Sequence, residues 1–116
     1  MLRRIPREAR SSELREMTID IDAIHKALAN PVRREILAWL KEPSAYFAEQ
    51  ELPLDCGVCV GQINARCGLS QSTVSAHLAT LQSAGLVTVK RIGQWSFFKR
   101  NEAVIEAFLA SLRDEL

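Results

Sequence analysis

No hydrophobic run in this 116-residue chain approaches the ~20 residues that a membrane-spanning helix needs. Cysteine is scarce and odd in number, three in all, which argues against a disulfide framework. The opening MLRRIPREARSSE has no apolar core and is not expected to be a secretory signal, so a cytoplasmic location is expected. There are only two histidines, and none lies in the last 39 residues. No Gly-rich phosphate loop, Ser-His-Asp set or paired carboxylates stand out, so no enzymatic activity, cofactor or metal is expected. Acid is missing altogether from residues 60–100, which hold Arg66, Lys90, Arg91, Lys99 and Arg100. The net charge of +1 conceals that local excess of base, which suits contact with phosphates.

What is present suits one globular domain: 47% apolar and 25% charged residues. The charge-dense residues 1–17 read as a flexible basic arm, and residues 18–116 as a single folded domain. Ile21, Ile24 and Leu28 line one side of a first helix, about Ile19 to Ala29. Asn30-Pro31 is a capped start for a second helix, in which Val32, Ile36, Leu37 and Leu40 face inward and which Pro43 ends. Residues 43–55 have no clear period and read as a loop pinned by Tyr46, Phe47 and Leu52. A third helix is expected from about Val58 to Arg66, with Val60 and Ile63 inward and Gly68 as its stop.

The most informative stretch is LSQSTVSAHLATLQSAGLVTVKRIGQWSFFKR, residues 69–100. Val74, Leu78 and Leu81 form one apolar stripe of a helix, while Gln71, Ser72, Ser75, Ala76 and Ala79 give the other faces no acid and little bulk. Ser70 is the expected N-cap, and the Cys-Gly-Leu-Ser joint before it has the length of a helix-turn-helix turn. After Gly85, Leu86–Ile92 and Trp95–Lys99 alternate as two strands around a Gly93-Gln94 turn. The fold expected is mainly α with a two-stranded β-hairpin wing, a dimeric winged helix-turn-helix. A helix with a small, acid-free face beside a basic wing fits the DNA major groove, and the partner expected is double-stranded operator DNA. Trp95, Phe97 and Phe98 are expected to pack rather than stack on bases. In the final helix Ile105, Phe108, Leu109, Leu112 and Leu116 make a wide apolar stripe. With Ile21, Ile24 and Leu28 it is expected to supply a dimer interface, the alternative being packing on its own domain.

The segments ALANPVRREILAWL and VCVGQINARCGLSQSTVSAHLATLQSAGLVTVKRIGQWSFFKRN resemble the ArsR/SmtB family of bacterial winged-helix repressors, over about residues 19–116. The resemblance implies a homodimer that sits on an operator and leaves when a small-molecule or thiol-reactive inducer binds. It implies that Gln71, Ser72, Ser75 and Ala76 face base edges and that Ser70 and Thr73 meet phosphate. His77 would donate to phosphate or base, or simply pack. Lys90, Arg91 and Gln94 would act from the wing. The chain departs from the family pattern at the sensing positions. Of a Cys-x-Cys pair only Cys59 is present, with Gly61 in place of the second thiol. Glu102, Val104 and Glu115 stand where zinc ligands would be expected.

Cys56-Gly-Val-Cys59 is a C-x-x-C. Placed at a helix start, its thiols would be activated, giving a redox, reactive-sulfur or metalloid sensor as the alternative function. Otherwise they are small structural residues. Cys67 lies about 12 Å along a helix from Cys59 and is a poor third ligand. A thioredoxin-like oxidoreductase is disfavoured because this C-x-x-C follows a proline-containing loop, without a parallel-sheet pattern.

Overall fold

The computed structural model describes residues 19–116, and the basic arm read over residues 1–17 lies outside the described residues. Helix α1 spans Ile21–Leu28 and begins where the Asp20 carboxylate accepts from the Ala23 N–H at 3.0 Å. Helix α2 covers Pro31–Lys41. Asn30, in extended backbone, caps it by accepting from the N–H groups of both Val32 and Arg33, and Pro31 occupies the first turn, where no N–H is needed.

Pro43 does more than stop α2. It opens a single-turn helix α3, Pro43–Tyr46, and a 3-10 turn follows at Leu54–Cys56, so residues 43–55 are more ordered than the loop expected. Phe47 anchors this stretch in the core, whereas Tyr46 stays on the surface.

The expected third helix begins two residues late. Val58–Cys59 is a short strand β1, and helix α4 runs Val60–Cys67. Helix α5 covers Gln71–Ser83, strands β2 and β3 are Val87–Ile92 and Trp95–Arg100, and helix α6 is Glu102–Glu115. Strand β1 pairs antiparallel with β3, Val58 opposite Phe98 and Cys59 opposite Phe97. The two-stranded wing is thus the outer part of a three-stranded sheet in the order β1-β3-β2. Gly57 makes this possible. Its φ of +110° takes the chain out of the 3-10 turn, and its bare Cα lies so close to β3 that a Cβ would sit 3.0 Å from the Phe98 carbonyl oxygen. The Gln50 side chain locks the segment, donating to the carbonyls of Leu52 and Gly57 and accepting from the Cys59 N–H at 2.8 Å.

The core collects one face from every long element: Ile24 from α1, Ile36 from α2, Ile63 from α4, Val74, Leu78 and Leu81 from α5, Val87 and Phe97 from the sheet. Helix α6 adds Val104 and Phe108 and is bridged to α1 by the edge-to-face contact of His25 with Phe108, centroids 5.3 Å apart. The last carbonyls of α1, of which only that of Lys26 also accepts from the cap N–H of Ala29, are taken up by two arginines of α2. Arg33 donates to those of Lys26 and Ala27, and Arg34 to that of Leu28.

A candidate nucleic-acid interface

Helix α4 ends at Gly68, whose φ of +68° is left-handed and whose N–H returns to the Asn64 carbonyl. Two residues later Ser70 caps α5. Its Oγ accepts from the Thr73 N–H at 3.2 Å and donates to Thr73 Oγ1 at 2.8 Å. This tight joint sets α5 across α4, and the buried stripe of Val74, Leu78 and Leu81 fixes its rotation. Of the residues the sequence singled out here, Ser70, Gln71, Ser72, Thr73, Ser75 and Ala76 are exposed and His77 is half-buried. Among the described residues no acid belongs to α5, so its exposed face is small, polar and uncharged.

The wing carries four cations, but two are occupied at its root. Lys99 Nζ donates to the Asp55 carbonyl at 3.1 Å, and Arg100 makes a two-pronged pair with Glu102, Nε to Oε2 at 2.8 Å and Nη2 to Oε1 at 3.0 Å. Arg66 is also drawn away, its guanidinium carbon 4.7 Å from the Tyr46 ring centroid and 5.4 Å from that of Trp39. Lys90, Arg91 and Gln94 remain exposed along β2 and at the turn. The sequence expectation for the wing aromatics is corrected in part. Phe97 and Phe98 are buried, but Trp95 is 52% exposed, paired across the hairpin with the exposed Ile92. It lies beyond the reach of the core because the hairpin projects past the body of the sheet.

His77 is half-buried on α5, with Nδ1 3.1 Å from Nη1 of Arg33. Sequence reasoning overlooked Arg33. The available signal was two arginines in the first turn of α2, where the helix dipole disfavours cations unless something outside the helix holds them. Gln50 and the occupied state of Lys99 and Arg66 left no comparable trace.

The cysteines are separated by the backbone. Cys56 ends the 3-10 turn, Gly57 redirects the chain with φ +110°, and Cys59 closes β1 as the residue before α4. All three thiols are free, and the pairing of β1 holds Cys59 opposite Phe97. Cys67 packs at the base of the helix-turn-helix joint. Burial, and then the Glu35 carboxylate, push its thiol above the ordinary value. Among the described residues no three His, Cys, Asp or Glu side chains come together as a metal site. Val104 lies in the core and Glu102 is engaged by Arg100.

Of the residues expected at a dimer interface, Ile24 and Phe108 are already buried by their own chain. Ile21, Leu28, Ile105 and Leu112 are half-buried at the edge of the core, and Leu109 is 44% exposed. A separate cleft of about 310 Å³ opens at the root of the wing, lined by Leu40, Leu54, Val58 and Phe98, with Lys99 and Glu102 among its polar groups. No helix among the described residues is long and apolar enough to cross a membrane.

Comparison with known proteins places these features in context. A sequence model of bacterial regulatory proteins of the arsR family matches residues 58–89, from β1 through α4 and α5 into β2. An uncharacterized HTH-type transcriptional regulator, YbzH of Bacillus subtilis, is 41% identical over 95 residues, covering 80% of this chain and 95% of that protein. A Halobacterium salinarum protein provisionally named an arsenical resistance operon repressor, ArsR2, is 34% identical over 98 residues, 84% of this chain and 71% of its own. Among solved structures, the homodimeric winged helix-turn-helix DNA-binding domain Mb0332 from Mycobacterium bovis superposes with a TM-score of 0.57 at 26% identity, over 97% of this chain and 88% of that one.

Proposed function

This chain belongs to the ArsR family of bacterial transcriptional regulators, and from that premise we propose that it acts in the cytoplasm as a homodimeric repressor, released from its operator by an inducer. The observation that carries the reading is the division of α5: one stripe entirely buried, the opposite face exposed, acid-free and small-sided, with Lys90 and Arg91 alongside. Such a face can approach base edges in the major groove, while cations and the N-terminal turn of the helix meet phosphates. Gln71, Ser72, Ser75 and Ala76 are the reading residues; Ser70, Thr73 and His77 hold the flanking backbone; Lys90, Arg91 and Gln94 act from the wing.

Two copies joined through α1 and α6 present their α5 helices to successive major grooves, about one helical turn apart. Occupation of the operator excludes polymerase. An inducer that alters the spacing of the two reading helices needs only ~1.4–2.8 kcal/mol of coupling to lower affinity ten- to a hundred-fold.

The test is operator affinity on DNA from upstream of the gene, by fluorescence anisotropy, for wild type and for Ser72→Glu and Ser75→Glu. Both sites are exposed, so the folds should be unchanged. The expected result is tight, salt-sensitive binding for wild type and loss of specific binding in both variants. Wild-type affinity in both would overturn the reading face. A promoter reporter whose output falls on deletion of the gene would overturn repression.

A further inference from the structure

We propose that Arg33 is a positioning residue for DNA binding: it fixes His77 in the tautomer whose proton sits on Nε2, so that the ring donates to a backbone phosphate. The inference rests on the function proposed above and extends it to a residue on a different helix from the one that meets DNA.

The argument starts from what a guanidinium can do. It carries five N–H donors, has no acceptor, and does not lose its charge in proteins. A ring nitrogen 3.1 Å from Arg33 Nη1 must therefore be the acceptor, and that nitrogen is Nδ1 of His77. In the neutral imidazole the proton then resides on Nε2, since the other tautomer would set N–H against N–H. Arg33 does not easily relax out of this arrangement. Its Nε donates to the Ala27 carbonyl at 2.7 Å and its Nη2 to the Lys26 carbonyl at 3.2 Å, both at the open end of α1. The guanidinium is thus a rigid link from the end of α1, through the first turn of α2, to α5.

Nε2 of His77 has no hydrogen-bond partner among the described residues. The ring is half-buried and lies one turn after the exposed Thr73, on the flank of α5 beside the core stripe. A flank position is where phosphates pass as a helix lies in the major groove, whereas Ser72 and Ala76 lie opposite the buried stripe, on the reading face. A ring whose donor is fixed in advance binds a phosphate oxygen without first paying to select a tautomer, and it transmits any displacement of the α1 terminus directly to a DNA contact.

The experiment has two arms. Long-range ¹H–¹⁵N correlation spectra of the free full-length chain, with His77 assigned by loss of its signals in His77→Gln, report the tautomer of the neutral ring. The expected pattern is protonated Nε2 and bare Nδ1, changing to a mixture in Arg33→Met, which keeps the stem and loses the donors. A wild-type ring protonated on Nδ1 overturns the proposal whether or not any variant folds. In the second arm, operator affinity should fall about tenfold in His77→Leu. It should stay within about threefold in His77→Gln, whose amide can accept from Arg33 and donate outward. Arg33→Met should weaken binding in the wild-type background and have little further effect in His77→Leu. An equal loss in both backgrounds makes Arg33 a scaffold residue only and overturns the proposal. If the wild-type chain binds no operator DNA, the function proposed above falls and this role falls with it. If it binds while the ring carries its proton on Nδ1, the function stands and only the positioning role is lost.

Discussion

Gly57 determines how the chain enters the sheet. Its positive φ and the 3.0–3.2 Å approach a Cβ would make to Phe98 O, Lys99 Cγ and Phe97 C make a side chain here strained and tight, two of the three atoms being strand backbone. Gly57→Ala should therefore cost about 2 kcal/mol, read as a lower midpoint in urea denaturation, with exchange of the Cys59 amide accelerated. Cys67 makes a second prediction at this scale. Desolvation, and then Glu35, favour its protonated form, so near neutral pH it should alkylate more slowly than an unhindered cysteine, as peptide mapping after iodoacetamide would report. The sign for stability follows. The fold prefers the neutral thiol, so Cys67 leaves stability unchanged below its ordinary value of 9.0 and erodes it as pH rises beyond. Residue identities announced the exposed face of α5 correctly, because one buried stripe determines every other direction on a helix. They did not announce the fate of individual cations. Arg66 over two rings and Lys99 on the Asp55 carbonyl are contacts between segments far apart in the chain, and no local pattern encodes them.

Among the elements, the helices were legible where caps and period coincided. Asn30-Pro31 begins α2 as expected, and the cap satisfies two N–H groups at once. Asn30→Ala should destabilise the chain by about 1 kcal/mol, measured by chemical denaturation, and should weaken the seat of Arg33 in the same turn. Strand β1 was invisible for the opposite reason. Two residues cannot display alternation, and Val58 suits the apolar face of a helix as well as a strand. Only the glycine before it, and the distant Gln50 that clamps it, decide the outcome. The consequence reaches the C-x-x-C pair: the two thiols sit not on one helical turn but on either side of the Gly57 bend, Cys56 in the 3-10 turn and Cys59 in β1.

For the whole molecule, the surface left after folding suggests how two copies meet. Leu109 is exposed on α6, whereas Phe108 beside it is already in the core, so the two positions separate assembly from folding. Leu109→Glu should yield monomers in sedimentation velocity with nearly unchanged helix content and strongly weakened operator binding. Intact dimers would overturn the proposed interface. The periodicity of α6 displayed one broad stripe, but it could not divide that stripe between the chain's own core and a partner. That division is set by where α1 and the sheet happen to end. A final consequence comes from the two indoles. Trp39 is enclosed against Phe47, and Trp95 stands at the tip of the wing, half in solvent. The chain therefore contains its own optical gauge. Trp39 should emit at the blue edge of the spectrum and be sheltered from iodide, Trp95 at the red edge and open to it. A quencher titration thus separates events at the tip of the hairpin from events in the body without adding a dye.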